Sequence, residues 1–184
     1  AEVDGAGQSI DATVPVSSVG GGQLEATLPG LLNGQSYKIS VAGINSHGEG
    51  VRSARSDAIV PYGIPGRATI TSVTPLSAGQ VRVTWTAPTV APVGAVDVTG
   101  GRPLLGYRVV VNSGGTGGPW PSASTYANSL TYDTTGLQLG NTYTFAVQTY
   151  NARGYSESEP SGSAVPASPP SVPQNITAVV DGAG

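Results

Sequence analysis

Few residues in this chain are of a type that does chemistry, and they are scattered. His47 is the only histidine among 184 residues and lies in Asn45-Ser46-His47-Gly48. A general base or metal ligand at that position needs partners in reach, and the local sequence supplies none, so an exposed turn residue is the simpler reading. Glu157 and Glu159 alternate on one strand face and so loosely fit the spacing of a glycosidase carboxylate pair. They sit beside Pro160, where charge on an edge strand blocks edge-to-edge pairing, and that structural role is preferred. Asp4-Gly5 and Asp181-Gly182 read as turn pairs without the closely spaced oxygen ligands of a calcium loop. Gly114-Gly115-Thr116-Gly117-Gly118 follows a strand and runs into Pro119-Trp120-Pro121 rather than a helix with a lysine, so it is a flexible loop and not a phosphate cradle. Asn175-Ile176-Thr177 matches the glycosylation pattern but falls in a predicted strand. Cys is 0, which removes disulfides, thiolate metal sites and cysteine nucleophiles together. The inventory predicts no enzyme, no cofactor and no metal.

Composition narrows the partners. Charged residues make up 10% of the chain and the net charge is -3, so the clustered Lys and Arg that neutralise nucleic-acid phosphates are missing. No apolar run of about 18 residues exists to insert in a membrane. Gly 27 and Pro 15 give roughly twice the usual share of about 12%. Disordered chains carry high net charge and few branched residues, whereas this one is rich in Val, Ile and Thr, which favours a folded all-β chain. Met is 0, and no charged start leads into an apolar segment, so the sequence is expected to be a piece of a longer polypeptide.

The elements that must carry these residues follow from period-two alternation bounded by Gly, Pro, Asn and Ser. The clearest runs are Val81 to Trp85, Tyr107 to Val111, Tyr37 to Ile44 and Tyr143 to Tyr150. In the last, residues 143, 145 and 147 share one face and 144, 146 and 148 the other, predicting one buried and one wet face. An internal repeat is the strongest signal. Gly30-Leu31, Gly34, Tyr37, Ile39, Val41, Asn45 and Gly48 return as Gly136-Leu137, Gly140, Tyr143, Phe145, Val147, Asn151 and Gly154 at a constant offset of 106. That offset is about one domain length. A weaker echo joins Ile64-Pro65 to Val172-Pro173, each after a Pro-rich junction that reads as a short stiff linker.

At these residues the chain resembles a tandem of fibronectin type III domains of bacterial or phage type. Val81 to Trp85 looks like strand B with its core Trp, Tyr107 to Val111 like strand C, Leu130 to Tyr132 like strand E, Tyr143 to Tyr150 like strand F and Asn151 to Gly154 like the F–G turn. The resemblance implies an all-β, immunoglobulin-like sandwich whose core holds Trp85, Tyr107, Leu137, Tyr143, Phe145 and Val147. It also implies a tyrosine-corner role for the Tyr143 hydroxyl. Residues 1–62 are then the C-terminal part of one domain, entered at the end of strand C, residues 63–167 a complete domain, and residues 168–184 a linker and the first strand of a third.

Residues 89–102 depart from the family as an apolar, Gly-rich insertion between strands B and C. Its Val93, Val96 and Val98 are candidate interaction residues, because loops on a rigid sandwich often carry binding. Trp120, flanked by two prolines, is the other: it stacks on a sugar, packs on a neighbouring protein, or covers its own sheet edge. The expected function is a non-enzymatic structural spacer and interaction module in a longer extracellular or surface-assembly protein. Two alternatives are a phage tail or fibre component of a virion and an accessory region of a secreted polysaccharide-degrading enzyme. Neighbouring domains or subunits are the expected partners, with a cell-surface glycan as the other class and no nucleic acid.

Overall fold

Alternating branched and aromatic residues, punctuated by turn glycines, form strands throughout the computed structural model. It describes residues 2–5, 8–11, 13–77, 79–114, 123–126, 129–168, 170–177 and 182. The described residues contain no helix, so none is long and apolar enough to cross a membrane. The N-terminal region contains β1 (Glu2–Gly5), β2 (Gln8–Asp11), β3 (Ser17–Gly20), β4 (Gln23–Glu25), β5 (Lys38–Ser40), β6 (Ile44–Asn45) and β7 (Gly48–Glu49). The rest contains β8 (Thr69–Pro75), β9 (Val81–Thr86), β10 (Gly106–Gly114), β11 (Ala123–Tyr126), β12 (Thr131–Thr134), β13 (Tyr143–Asn151) and β14 (Gly154–Glu157).

Two antiparallel sheets, ordered β12-β9-β8 and β11-β10-β13-β14, face each other. Alternation along β9 sends Val81, Val83 and Trp85 inward while Arg82 and Thr86 stay exposed. The other wall supplies Tyr107, Val109, Val111, Tyr143, Phe145 and Val147. Trp85, Tyr107 and Tyr143 are each 1% exposed, Phe145 and Val147 0%, and Leu137 7%. The Trp85 and Tyr107 rings meet edge-on with centroids 5.5 Å apart, a geometry that the ring quadrupoles favour. The Tyr143 hydroxyl accepts a hydrogen bond from the Gln138 amide at 3.0 Å and so pins the turn before β13.

The outer face of β13 is not wet. Ala146 is fully buried and Gln148 is 9% exposed. This strand is an interior member of its sheet, with β10 on one side and β14 on the other. Its outer face is roofed by a polar network: Gln148 Nε2 donates to Glu157 Oε2 at 2.7 Å, the Tyr150 hydroxyl donates to Gln148 Oε1 at 2.7 Å, and the Arg108 guanidinium lies over the Tyr150 ring. Alternation reports which way a side chain points, and cross-strand neighbours decide whether that side is covered.

Many local bonds of the sandwich recur in the N-terminal region. The order β2-β1-β5 parallels β11-β10-β13. The Tyr37 hydroxyl accepts from the Leu32 amide at 2.9 Å. Ile39 N donates to Ser56 Oγ as Phe145 N donates to Ser161 Oγ, and Val41 N to Ser53 Oγ as Val147 N to Ser158 Oγ. The same hydroxyl bonds accompany full-length β13, so they do not shorten a strand. The strand expected over 37–44 is reduced to β5 with a bridge from Tyr37 to Ile59 because β1 pairs only with Lys38–Ser40, whereas β10 pairs with β13 from Tyr143 to Tyr150. The strand expected within 168–184 is absent from its described part. Residues 170–177 are irregular and exposed, and Asn175 sits at φ 59, outside the extended region. A strand needs a ladder partner, and no described residue pairs with this segment.

Candidate functional site: the joint built by residues 89–102

The insertion folds back onto the chain that precedes the sandwich. Asn33 N donates to Gly94 O at 2.7 Å and Val96 N donates to Asn33 O at 2.9 Å, forming a parallel bridge between Asn33 and Ala95. Two further amides, Gly63 N and Gly66 N, donate to Gly100 O and Val98 O, each at 2.8 Å. Gly34 N donates to Pro61 O at 2.8 Å, so turn, linker and insertion meet in one knot. Arg102 closes it with its guanidinium 4.4 Å above the Tyr62 ring, a cation–π contact.

Asp97 shapes the loop that docks. Its Oδ1 accepts from Thr99 N at 2.8 Å, Thr99 Oγ1 at 2.7 Å and Gly101 N at 3.2 Å. The Thr99 hydroxyl bond holds its carboxyl below the usual carboxylate range; partial burial opposes this and the amides of residues 99–101 add to it. The turn carries the chain into Gly100 and Gly101 at φ 70 and 87. Gly101 must also be small: a Cβ there would lie 2.8 Å from Gly34 Cα and 2.9 Å from Pro61 O. From the other side, Asn151 Nδ2 donates to Gly63 O at 2.7 Å and Thr99 O at 2.8 Å, while its Oδ1 accepts from Arg153 N and Gly154 N. One amide side chain thus ties the F–G turn, the linker and the insertion together.

Of the sequence candidates, Val96 and Val98 lie in this joint through their backbones, whereas Val93 is fully exposed at its rim. Trp120, residues 115–118 and Asp181 lie outside the described residues. His47 is an exposed turn residue whose amide donates to Asn45 Oδ1 at 2.8 Å. Asp4 and Gly5 close β1 opposite Ser9 and Gln8. Glu157 is bonded to Gln148, and exposed Glu159 pairs with Arg67 at 2.6 Å. A groove of about 790 Å³ runs between β8, residues 89–93 and the segment after β14; among the described residues that line it, Glu159 is the one carboxylate and none is histidine. Among the described residues, no group of three metal-ligating side chains converges.

Sequence reasoning did not anticipate Asn33, Asp97 or Asn151 as joint residues. Asp97-Val98-Thr99-Gly100-Gly101 is a legible signal for a side-chain-capped turn. Nothing in the sequence says what that turn docks against.

Comparison with known proteins places the sandwich. Residues 66–164 match the family model of the fibronectin type III domain. Among solved structures, the FN1–FN3 domains of chicken CNTN1 share 16% identity at a TM-score of 0.47, over 83% of this chain and 54% of that one. Titin kinase and its flanking domains share 23% identity at a TM-score of 0.40, over 56% of this chain and 17% of that one. The chain thus spans about half the length of the first.

Proposed function

We propose, for a chain that belongs to the fibronectin type III family through residues 66–164, a non-enzymatic role as spacer and protein-interaction module, in which the insertion locks the sandwich to the unit before it. Domains of this family are typically non-catalytic and generally mediate protein–protein contacts. Residues 1–62 are the C-terminal part of a like domain, residues 63–167 the complete one, and the setting is a longer extracellular or surface assembly. The carrying observation is the set of four backbone hydrogen bonds from the insertion to Asn33, Gly63 and Gly66. Backbone pairing on both flanks of a linker removes its freedom to swivel, and a short linker so clamped sets a fixed angle between neighbours instead of a range.

The test is Gly101→Val, which wedges the joint without entering the sandwich core. Residual dipolar couplings of residues 13–60 and 66–164 should fit one alignment tensor in the native chain and two in the variant. The melting temperature of the sandwich should stay nearly unchanged. A single shared tensor in the variant would sink the clamp.

A further inference from the structure

The turn before β13 is a near copy of the turn that receives the insertion. Gly30 and Gly34 have φ 80 and 85, and Gly136 and Gly140 have φ 76 and 79. A tyrosine hydroxyl caps each turn. Gly34 N donates to Pro61 O, and Gly140 N donates to Pro166 O at 3.1 Å. The two differ in cover. Asn33 is half-buried, with its amide and carbonyl both bonded to the insertion. Leu139, its counterpart, is 52% exposed, and among the described residues its amide and carbonyl have no backbone partner. The junction that follows shows the same contrast. Pro65 of Ile64-Pro65 is fully buried, whereas Val172 and Pro173 are exposed.

We propose that the turn Gln138–Gly140, with Pro166, is a socket for a second sandwich in line, seated by an apolar, glycine-kinked loop of the 89–102 kind. The occupant follows from continuity with the first joint. There Asn33 donates its amide to Gly94 O and accepts from Val96 N through backbone atoms alone, so Leu139 in place of Asn33 leaves the pairing intact. Leu139 also adds an apolar surface suited to a loop that presents Val90, Val93 and Val96, each exposed. Glycine at 140 keeps the approach open, since a Cβ at its equivalent, Gly34, would lie 2.9 Å from Val96 Cγ2 and Asp97 Oδ2. The inference rests on the clamp reading of the first joint.

The experiment extends the chain after Pro173 with a second copy of residues 66–167, so that Val172-Pro173 stands where Ile64-Pro65 stands in the first joint. Amide hydrogen exchange at Leu139 should slow at least tenfold relative to the unextended chain, and should recover when the appended insertion is replaced by a Gly-Ser loop. Unchanged exchange at Leu139, with the appended copy folded, overturns the inference. The Asn33 amide separates the two readings: if it is slow while Leu139 is fast, only this inference fails, whereas if both are fast the clamp fails with it. Should the appended copy not fold, a peptide of residues 89–102 is titrated against the native chain. Amide shift changes confined to residues 138–140 support the socket, and their absence overturns it.

Discussion

Val41 and Val147 are 106 residues apart in the repeat, and each donates its amide to a serine hydroxyl. Val147 is 0% exposed and Val41 57%. The same contrast separates fully buried Phe145 from half-buried Ile39, and buried Leu137 from half-buried Leu31. Over residues 13–60, Tyr37 and Ser40 have buried side chains and the rest are half-buried or exposed. Hydrogen-bonded local geometry therefore forms in both regions, and among the residues whose burial is described the core cluster lies where a second sheet faces the first. Trp85 on β9 is the largest piece of that facing sheet. Trp85→Ala should destabilise the sandwich by about 3–5 kcal/mol, enough to threaten a marginal domain. Urea unfolding followed by tyrosine fluorescence and far-UV circular dichroism measures it. A loss below about 1 kcal/mol would mean that the sheets do not depend on each other.

The two valines test the same difference by direct substitution. Val147→Ala removes two buried methyl-sized groups, at about 0.8 kcal/mol each plus a cavity term, so a cost near 2 kcal/mol is expected. Val41→Ala should fall within about 0.5 kcal/mol of zero, as exposed substitutions do. Equal costs would show that the N-terminal strand is packed in solution to the same degree as β13.

Much of the sandwich was legible because its signals are local. Alternation in Val81 to Trp85 gave a strand with one buried face, and Gly136, Gly140 and Tyr143 announced a turn capped by a hydroxyl. The outer face of β13 departs from the wet face that alternation predicts, because Gln148 and Tyr150 are solvent-seeking by type and only Glu157 and Arg108 from neighbouring strands cover them. The insertion is legible as extra and apolar, with Val93, Val96 and Val98 as candidate interaction residues, but the sequence does not show that its backbone carbonyls and amides pair with Asn33, Gly63 and Gly66. Backbone docking has no side-chain code, so the joint was the least legible part of the molecule.

The two F–G turns sharpen the comparison at the joint. Asn45 and Asn151 use Oδ1 alike, accepting from the amide two residues on at 2.8 Å. Only Asn151 spends its amide nitrogen on the linker and the insertion. Asn151 is 4% exposed, so Asn151→Ala strands carbonyls and amides together and should cost about 1–3 kcal/mol. Asn45→Ala, at an exposed turn, should cost less than about 1 kcal/mol. Paired chemical denaturation measures both, and loss of the shared alignment tensor in the Asn151 variant alone would locate the effect in the joint. Matching losses in the two variants would show that the turn, and not the joint, sets the value of this asparagine.

The smallest effect expected is electrostatic and again divides joint from sandwich. Asp97 and Asp133 are both held below the usual carboxylate range, Asp97 first by the Thr99 hydroxyl and Asp133 first by its hydrogen bond to Arg82. A carboxyl whose pKa is depressed on folding binds its proton more readily in the unfolded chain. Its contribution is therefore complete above the unfolded value of about 3.9 and is lost as pH falls through the lower, folded value. Both groups are largely solvated, so screening keeps each contribution small. Location distinguishes them, because Asp97 organises the docking loop while Asp133 lies on β12 across from Arg82 of β9. The Thr99 and Gly101 amide resonances should shift with a midpoint below the ordinary aspartate value, a transition that Asp97→Asn abolishes and Asp133→Asn leaves in place. As Asp97 protonates, the alignment of residues 13–60 against 66–164 should loosen before the sandwich unfolds. If both regions lose order at one pH, or if Asp133→Asn removes the Thr99 transition, then the loop is not held by its own carboxylate and the joint is an extension of the sandwich core.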